Sequence, residues 1–473
     1  MYINRLVDSN LIEWSKKKKH KPLLLRGARQ IGKSSSVRKL AENFEYFVEV
    51  NFEKNTLAHS FFDFDLIPQE ICTKISTSFK TPIIPGKTLL FFDEIQACPR
   101  AISALRFFYE DYPELHVIAA GSLLEFALED LSSFGVGRIS SMYMYPFSFQ
   151  EFMLACGEER LWKEVCKSSP EEPLFPAFHQ KTLEIFKQFL VIGGMPAVVS
   201  EFIENRDFLS CQKVLSDLID DLKVDFSKYK KRVPELRISK AFEAVVEQAG
   251  GKFNYSKVEP YSIRQIKESI ELLEKAGLII SIVHTPASGI PLGAQANYKK
   301  QKILLLDTGI FQRLLGLELS DILFSDDFSL VNKGFIAEQM VGLEFLKSVP
   351  YHERKQLYYW AREKPQSNAE VDYVIQKGEK IIPIEVKSGS SGKMQSMNIF
   401  LEEKQSEYGI RTSLENFSQY NKIKVYPLYA VGNIEKSFQQ SVKNEKMNFV
   451  CRMCVWKGKS RSDEVCKRLV FRR

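Results

Sequence analysis

Through the first 150 residues, short apolar runs alternate with stretches whose apolar residues recur three and four apart. Leu23 to Arg26, Glu45 to Phe52, Thr88 to Glu94 and Leu115 to Ala120 read as strands, the second by its alternation and its aromatic and β-branched content. The stretches between them, beginning with Lys33 to about Asn43, read as helices, as does Leu123 to Leu131. Strands separated in this way predict an α/β unit with a parallel sheet and a ligand site at the carboxyl ends of the strands. Residues 2–20 read as a short amphipathic lead-in with Leu6, Leu11, Ile12 and Trp14 on its apolar side.

The pattern changes after Pro146–Phe152, which leads into a helical region. Residues 236–306 follow the order of a winged helix-turn-helix: helix Ile238 to Ala249, connector Asn254 to Val258, and helix Ser262 to Ala276. Wing strands Leu278 to Val283 and Lys302 to Leu306 then flank a Gly- and Pro-bearing loop. Such a module either lays its second helix in a DNA groove, with Arg264 and Lys267 exposed, or only holds domains together. Glu268, Glu271 and Glu274 offset those two cations. Past a breaker region at Ser320 to Ser329, an amphipathic helix is expected over Gly334 to Lys347. Strands are expected over Gln356 to Trp360, Ala369 to Ile375, Lys380 to Lys387 and Ile423 to Tyr429. The expected organisation is therefore 1–150, 151–325 and 326–432, with 433–473 as a flexible tail.

Candidate chemistry begins at Gly27-Ala28-Arg29-Gln30-Ile31-Gly32-Lys33-Ser34, a full match to G-x-x-x-x-G-K-[ST] directly after the first apolar run. Backbone N–H groups of such a loop, with Ser35 behind it, face the phosphates of a nucleotide such as ATP. Lys33 reaches the β and γ phosphates, and the Ser34 hydroxyl ligates Mg²⁺. The third strand ends in Asp93-Glu94, where Asp93 can hold Mg²⁺ through water and Glu94 can polarise the attacking water. Ser122, at the tip of the fourth strand, is either a phosphate sensor or the cap of the next helix.

Four strings, GARQIGKSS, LLFFDEIQ, AAGSLLEF and GRISSMYMYPFSFQEF, resemble the AAA-type ATPase domain of a large prokaryotic family of ATP-binding proteins. The resemblance covers nearly all of residues 1–431. It implies a P-loop NTPase sheet followed by a helical and winged-helix region and a C-terminal domain similar to PD-(D/E)xK, restriction-endonuclease-like nucleases. It further implies that Gln96 lies at the periphery of the nucleotide site. Arg138 becomes a candidate stabiliser of the transferring phosphoryl group, within the subunit or towards a neighbour's nucleotide in a homo-oligomer, or else a structural salt bridge. Gly193-Gly194-Met195-Pro196 matches a Gly-Gly-x-Pro element of the family and is assigned a structural role.

The residues themselves supply a D…ExK pattern at Asp372, Glu385 and Lys387, with 13 residues from Asp to Glu. Positions i and i+2 of a strand share a face, so Glu385 and Lys387 project together, and the preceding hairpin strand can set Asp372 beside them. Asp372 and Glu385 would hold Mg²⁺, Lys387 would orient the attacking water, and Glu338 would add a carboxylate. Cross-strand salt bridges on an exposed face are the alternative reading of the same residues.

Charge adds little to a DNA reading. Residues 433–473 hold 11 of the 66 Lys and Arg and 4 of the 59 Asp and Glu, so the net +7 sits there and residues 1–432 balance at 55 of each. In that tail only Cys451-x-x-Cys454, with Cys466, has any metal-ligand spacing, and no fourth ligand follows. No apolar run approaches a membrane span, and Arg5 and Asp8 precede any apolar run, so a cytoplasmic location without membrane contact is expected. The expected function is ATP hydrolysis whose nucleotide state controls a nuclease-like module acting on DNA. The alternative is a nucleotide-dependent switch that binds a protein partner through an inactive nuclease-like module.

Overall fold

The four apolar runs of the first 150 residues become neighbours in one sheet. A computed structural model describes residues 2–129, 137–229, 232–317, 334–363, 369–387 and 394–434 of the chain. Helix α1 (Leu6–Ser15) precedes strand β1 (Leu23–Arg26), helix α2 (Lys33–Ala41) and strand β2 (Tyr46–Asn51). Helix α3 (Pro68–Phe79), strand β3 (Thr88–Asp93), helix α4 (Pro99–Asp111), strand β4 (His116–Ala120) and helix α5 (Leu124–Glu129) follow. A fifth strand, β5 (Ser140–Tyr143), was not anticipated because its serines and half-exposed side chains carry no apolar run.

The sheet order is β2-β3-β4-β1-β5 with every pairing parallel. Every residue of β3 and β4 is buried, as expected for central strands covered on both faces. This is the P-loop NTPase arrangement, with β4 lying between β1 and β3. Gly27 leaves β1 at φ +136, where a Cβ would lie 2.3 Å from the carbonyl oxygen of Met144, so no other residue fits that exit.

Helices α6 (Phe149–Ala155), α7 (Glu159–Lys167), α8 (Pro176–Ile192), α9 (Pro196–Asn205), α10 (Phe208–Asp225), α11 (Glu235–Glu247), α12 (Ile263–Lys275) and α13 (Thr308–Leu314) form the helical region. Ser148, Asp207, Ser262 and Asp307 cap four of them by accepting backbone N–H groups of the first turn. The expected wing strands are β6 (Ile279–His284) and β7 (Asn297–Leu305), and they do form an antiparallel hairpin.

That hairpin is not an isolated wing. After helix α14 (Gly334–Lys347) come β8 (Leu357–Ala361), β9 (Glu370–Lys377), β10 (Lys380–Val386), helix α15 (Gln395–Glu403), β11 (Gly409–Ser413), β12 (Ser418–Tyr420) and β13 (Ile423–Pro427). β6 pairs in parallel with β8, giving one mixed eight-stranded sheet ordered β12-β13-β11-β10-β9-β8-β6-β7. Residues 279–305 therefore share a sheet with the module expected to begin at residue 326. Helix α14, expected to be amphipathic, is buried from Ile336 onward almost all round, Glu338 apart, because it lies between that sheet and the helical region. Among the described residues no helix is long and apolar enough to cross a membrane.

A buried ion pair joins these parts. The Arg5 guanidinium donates to Glu151 at 2.9 Å, to the Ile31 carbonyl of the phosphate loop at 3.1 Å and to the Tyr145 carbonyl at 2.8 Å. It also lies 4.1 Å from the centre of the Phe147 ring. Glu151 in turn accepts the N–H groups of Leu6 and Ser148, each at 2.9 Å. Arg5→Ala leaves that carboxylate buried without its cation and is expected to lower stability by about 3–5 kcal/mol in urea denaturation. A loss below about 1 kcal/mol would mean that the pair behaves as a surface bridge.

Candidate functional site

The loop after β1 curls back over α2, whose first residue is Lys33 behind a left-handed Gly32. The Lys33 ammonium donates to the carbonyl oxygens of Gly27 at 2.8 Å and Ala28 at 2.6 Å, so the loop folds around its own lysine. Burial pushes Lys33 down to about 8, against the opposing pull of Glu94 and Asp93. Next along the helix, the Ser34 hydroxyl donates to Asp93 at 3.1 Å. Asn51, at the end of β2, donates to the other Asp93 oxygen at 3.1 Å. Burial, helped by Glu94, raises the Asp93 carboxyl, while those two hydrogen bonds hold it down.

Glu94 follows at φ +49, a backbone conformation that costs a non-glycine residue energy and turns its side chain off the strand axis. Its Oε2 accepts from the Gln96 side chain at 2.6 Å and from the Ser122 hydroxyl at 3.3 Å. Ser122 thus meets the acid rather than acting only as a cap, and Gln96 contacts Glu94 directly.

A cavity of about 620 Å³ opens in front of Lys33, Ser34, Asp93 and Glu94, and Ser35, Ser122 and Pro196 also line it. Its far wall comes from α10, where Asp225 pairs with Arg29 and Asp221 accepts from Gln30 at 3.0 Å. The Gly-Gly-x-Pro element, assigned to structure alone, therefore delivers Pro196 to this cavity. Asn51, Asp221 and Asp225 were not singled out in the sequence. The parallel register Asn51↔Asp93 carries the signal for the first, whereas nothing local marks the two aspartates of α10. Arg138 is elsewhere, on the surface beside Glu110 of α4, and the cavity lining does not include it. The contact with Glu110 is the structural salt bridge that the sequence left open for it.

The donor set fits a nucleotide with Mg²⁺. Two hard oxygen donors, Ser34 and Asp93, stand 3.1 Å apart beside a buried ammonium and a loop with N–H groups to offer.

The C-terminal pattern also comes together. The antiparallel register runs to Ile384↔Tyr373, one residue short of Glu385 and Asp372, and the Val386 N–H donates to Asp372 at 2.8 Å. Lys387 donates to Glu385 at 2.7 Å. Burial raises both carboxyls; the Asp372 charge adds to the rise at Glu385, where Lys387 opposes it. A residue outside the pattern intervenes: the Lys302 ammonium of β7 lies 2.6 Å from Glu370, 3.3 Å from Glu338 and 3.7 Å from Asp372. Burial works against the Lys302 charge, yet Glu338, Asp372 and Glu370 outweigh it and hold the ammonium above the usual lysine range. Among the described residues no group of three or more His, Cys, Asp or Glu is arranged to hold a metal ion. With a cation already in contact, Asp372 and Glu385 do not fit Mg²⁺ as expected. Cys451, Cys454 and Cys466 lie outside the described residues, as does the tail from residue 435.

Comparison with known families gives three consecutive matches. Residues 19–153 match an AAA domain, 183–321 a domain of unknown function (DUF8612), and 333–431 another domain of unknown function (DUF4143). No curated protein matches the chain. Among solved structures, the chain is similar to the Aeropyrum pernix ORC1 protein in complex with DNA at 13% identity and TM-score 0.27, over 66% of this chain and 93% of that one. It is similar to a STAND ATPase with a tetratricopeptide repeat sensor from Pyrococcus horikoshii at 12% identity and TM-score 0.25, over 74% of this chain and 46% of that one. Drosophila ORC bound to DNA gives 16% identity and TM-score 0.22, over 66% and 85%. Overlaps of that quality carry no weight. The AAA match and the loop geometry stand without them, and they make residues 19–153 a P-loop AAA domain.

Phosphates favour the charged form of Lys33, so nucleotide binding takes up a proton wherever the free loop's lysine is partly neutral. ATP affinity is expected to fall as pH rises through about 8. Calorimetric titration above that pH in two buffers of different ionisation enthalpy is expected to show net proton uptake, absent in Lys33→Met.

Proposed function

We propose that the protein is an ATP-hydrolysing switch whose nucleotide state sets how the C-terminal D…ExK-like module engages DNA. The observation that carries the ATPase part is the meeting of Ser34 and Asp93 at 3.1 Å, beside Lys33 and in front of Glu94, in a cavity large enough for a nucleotide. In this reading the loop N–H groups from Gly27 to Ser35 and the Lys33 ammonium receive the phosphates. Ser34 and Asp93 hold Mg²⁺, which when bound offsets charge on the phosphate oxygens. Glu94 leaves Gln96 and Ser122 and accepts a proton from the attacking water.

The path outward supports a switch. Arg29 and Gln30 lie in the loop itself, so a nucleotide that moves the loop acts on their side-chain contacts with Asp225 and Asp221. Behind the loop, Gly277 at φ +74 packs so tightly that a Cβ there would lie 3.2 Å from the Ala28 nitrogen. Gly277 leads from α12 into β6, a strand of the eight-stranded sheet, so a shift of the loop bears directly on the C-terminal module.

A second reading, engagement of a protein partner, is favoured by the charge on α12. Arg264, although exposed, pairs with Glu268 at 3.4 Å, and Arg264, Lys267 and Lys275 are matched by Glu268, Glu271 and Glu274, so that helix brings no net positive charge to a phosphate backbone.

Lys33→Ala is expected to abolish Mg²⁺-dependent ATP hydrolysis. Glu94→Gln is expected to keep nucleotide binding while slowing turnover by about 10²–10⁴-fold, the usual contribution of a general base. Hydrolysis at the parent rate in Glu94→Gln would remove Glu94 from the role. Binding to linear and plasmid DNA with and without ATP, compared with Asp372→Ala, separates the partner classes: no affinity in any nucleotide state favours a protein partner.

A further inference from the structure

One cation that meets the C-terminal carboxylates comes from outside the D…ExK pattern and from a different matched region. Lys302 belongs to residues 183–321, whereas Glu338, Glu370 and Asp372 belong to residues 333–431. Its side chain is only 4% exposed, over the ring of Tyr359, and its ammonium touches carboxylates from α14 and β9 at 2.6 to 3.7 Å. An ammonium that deep has lost its water shell, and only carboxylates at contact distance compensate. Lys387 meets Glu385 at 2.7 Å, and Lys252 meets the second oxygen of Glu370 at 3.3 Å. The four acids are thus faced by three ammonium groups of the same chain.

Little is left over for a metal. One Asp372 oxygen takes the Val386 N–H at 2.8 Å, and the other faces Lys302 at 3.7 Å. Glu385 gives one oxygen to Lys387, and only its Oε2, buried, lacks a hydrogen-bond partner. A divalent ion bound to Asp372 and Glu385 would lie within a few ångströms of the Lys302 charge, in surroundings that screen their repulsion weakly. The two cations exclude each other.

We propose that Lys302 is the resident counter-ion of this carboxylate group and holds the place a divalent cation would take. The module then engages its partner without metal, and the group serves to tie the β6–β7 hairpin to α14 and β9. The assignment stands whether or not ATP drives the module. No three of these acids are arranged for a metal while Lys302 is in place, and removing its charge leaves Glu338, Asp372 and the free oxygen of Glu385 to close on a hard divalent ion.

The test is Mn²⁺ titration of the full chain, followed by electron paramagnetic resonance, with Ser34→Ala and Asp93→Asn present throughout to silence the phosphate loop. With Lys302 intact, no Mn²⁺ is expected to bind at millimolar concentration, and the thermal midpoint is expected to be the same in Mn²⁺ and in chelator. Lys302→Met is expected to bind one Mn²⁺ and to gain thermal stability from it, with both effects lost on adding Asp372→Asn. Lys302→Arg, which keeps the charge, is expected to bind none. One Mn²⁺ bound with Lys302 intact and lost in Asp372→Asn overturns the proposal. So does a folded Lys302→Met that binds none. If Lys302→Met does not fold, the comparison of Lys302-containing protein with and without Asp372→Asn decides alone.

Discussion

Burying Arg5 against Glu151 obliges the surrounding chain to supply every remaining hydrogen bond, because neither charge has water to fall back on. Residues 145 to 151 do much of that work and become the junction of the molecule. The N-terminal arm reaches them through Arg5 and Leu6, and the phosphate loop through Ile31, whose carbonyl Arg5 holds. The Gly-Gly-x-Pro element reaches them through Gly194, whose carbonyl accepts the Phe147 N–H at 2.7 Å. Helix α14 arrives from the other side: Glu344 accepts the Phe149 N–H at 3.3 Å and Lys347 donates to the Phe147 carbonyl at 2.9 Å. One short segment therefore positions the nucleotide loop, the helical region and the C-terminal module relative to one another.

That junction gives the ligand-free phosphate loop its posture. Held from behind by Arg5 and Gly277 and from in front by Asp221 and Asp225, it turns its lysine onto its own carbonyls. Glu94 is likewise engaged by Gln96 and Ser122. Lys33 and Glu94 are thus engaged in contacts that a nucleotide and its attacking water would replace, while Arg29 and Gln30 tie the same loop to α10, so a change in the loop's posture is felt by that helix.

The carboxylate group of the C-terminal sheet obeys the same electrostatic rule with a different outcome. Burial raises the carboxyls of Glu338, Asp372 and Glu385, and what opposes it here is lysines of the chain at contact distance, together with the Val386 N–H at Asp372. A sheet that runs continuously from the β6–β7 hairpin to β12 makes that possible, since it brings Lys302 to acids at least 36 residues away in sequence.

What the sequence determined by itself is local. The glycines and lysine of residues 27–34 dictate a loop between strand and helix, the apolar runs dictate four strands, and the i and i+2 positions of Glu385 and Lys387 dictate a shared face. Each is legible because its cause lies within a few residues. β5 escaped notice because an edge strand with polar side chains leaves no apolar signature, and the pairing of Arg138 with Glu110 has no local cause to read. The partners of the loop, Asn51, Pro196, Asp221 and Asp225, together with the buried pair Arg5–Glu151 and the Lys302 counter-ion, depend on contacts across tens to hundreds of residues. Coulomb attraction and desolvation act through space, so only the tertiary structure could decide which charge meets which.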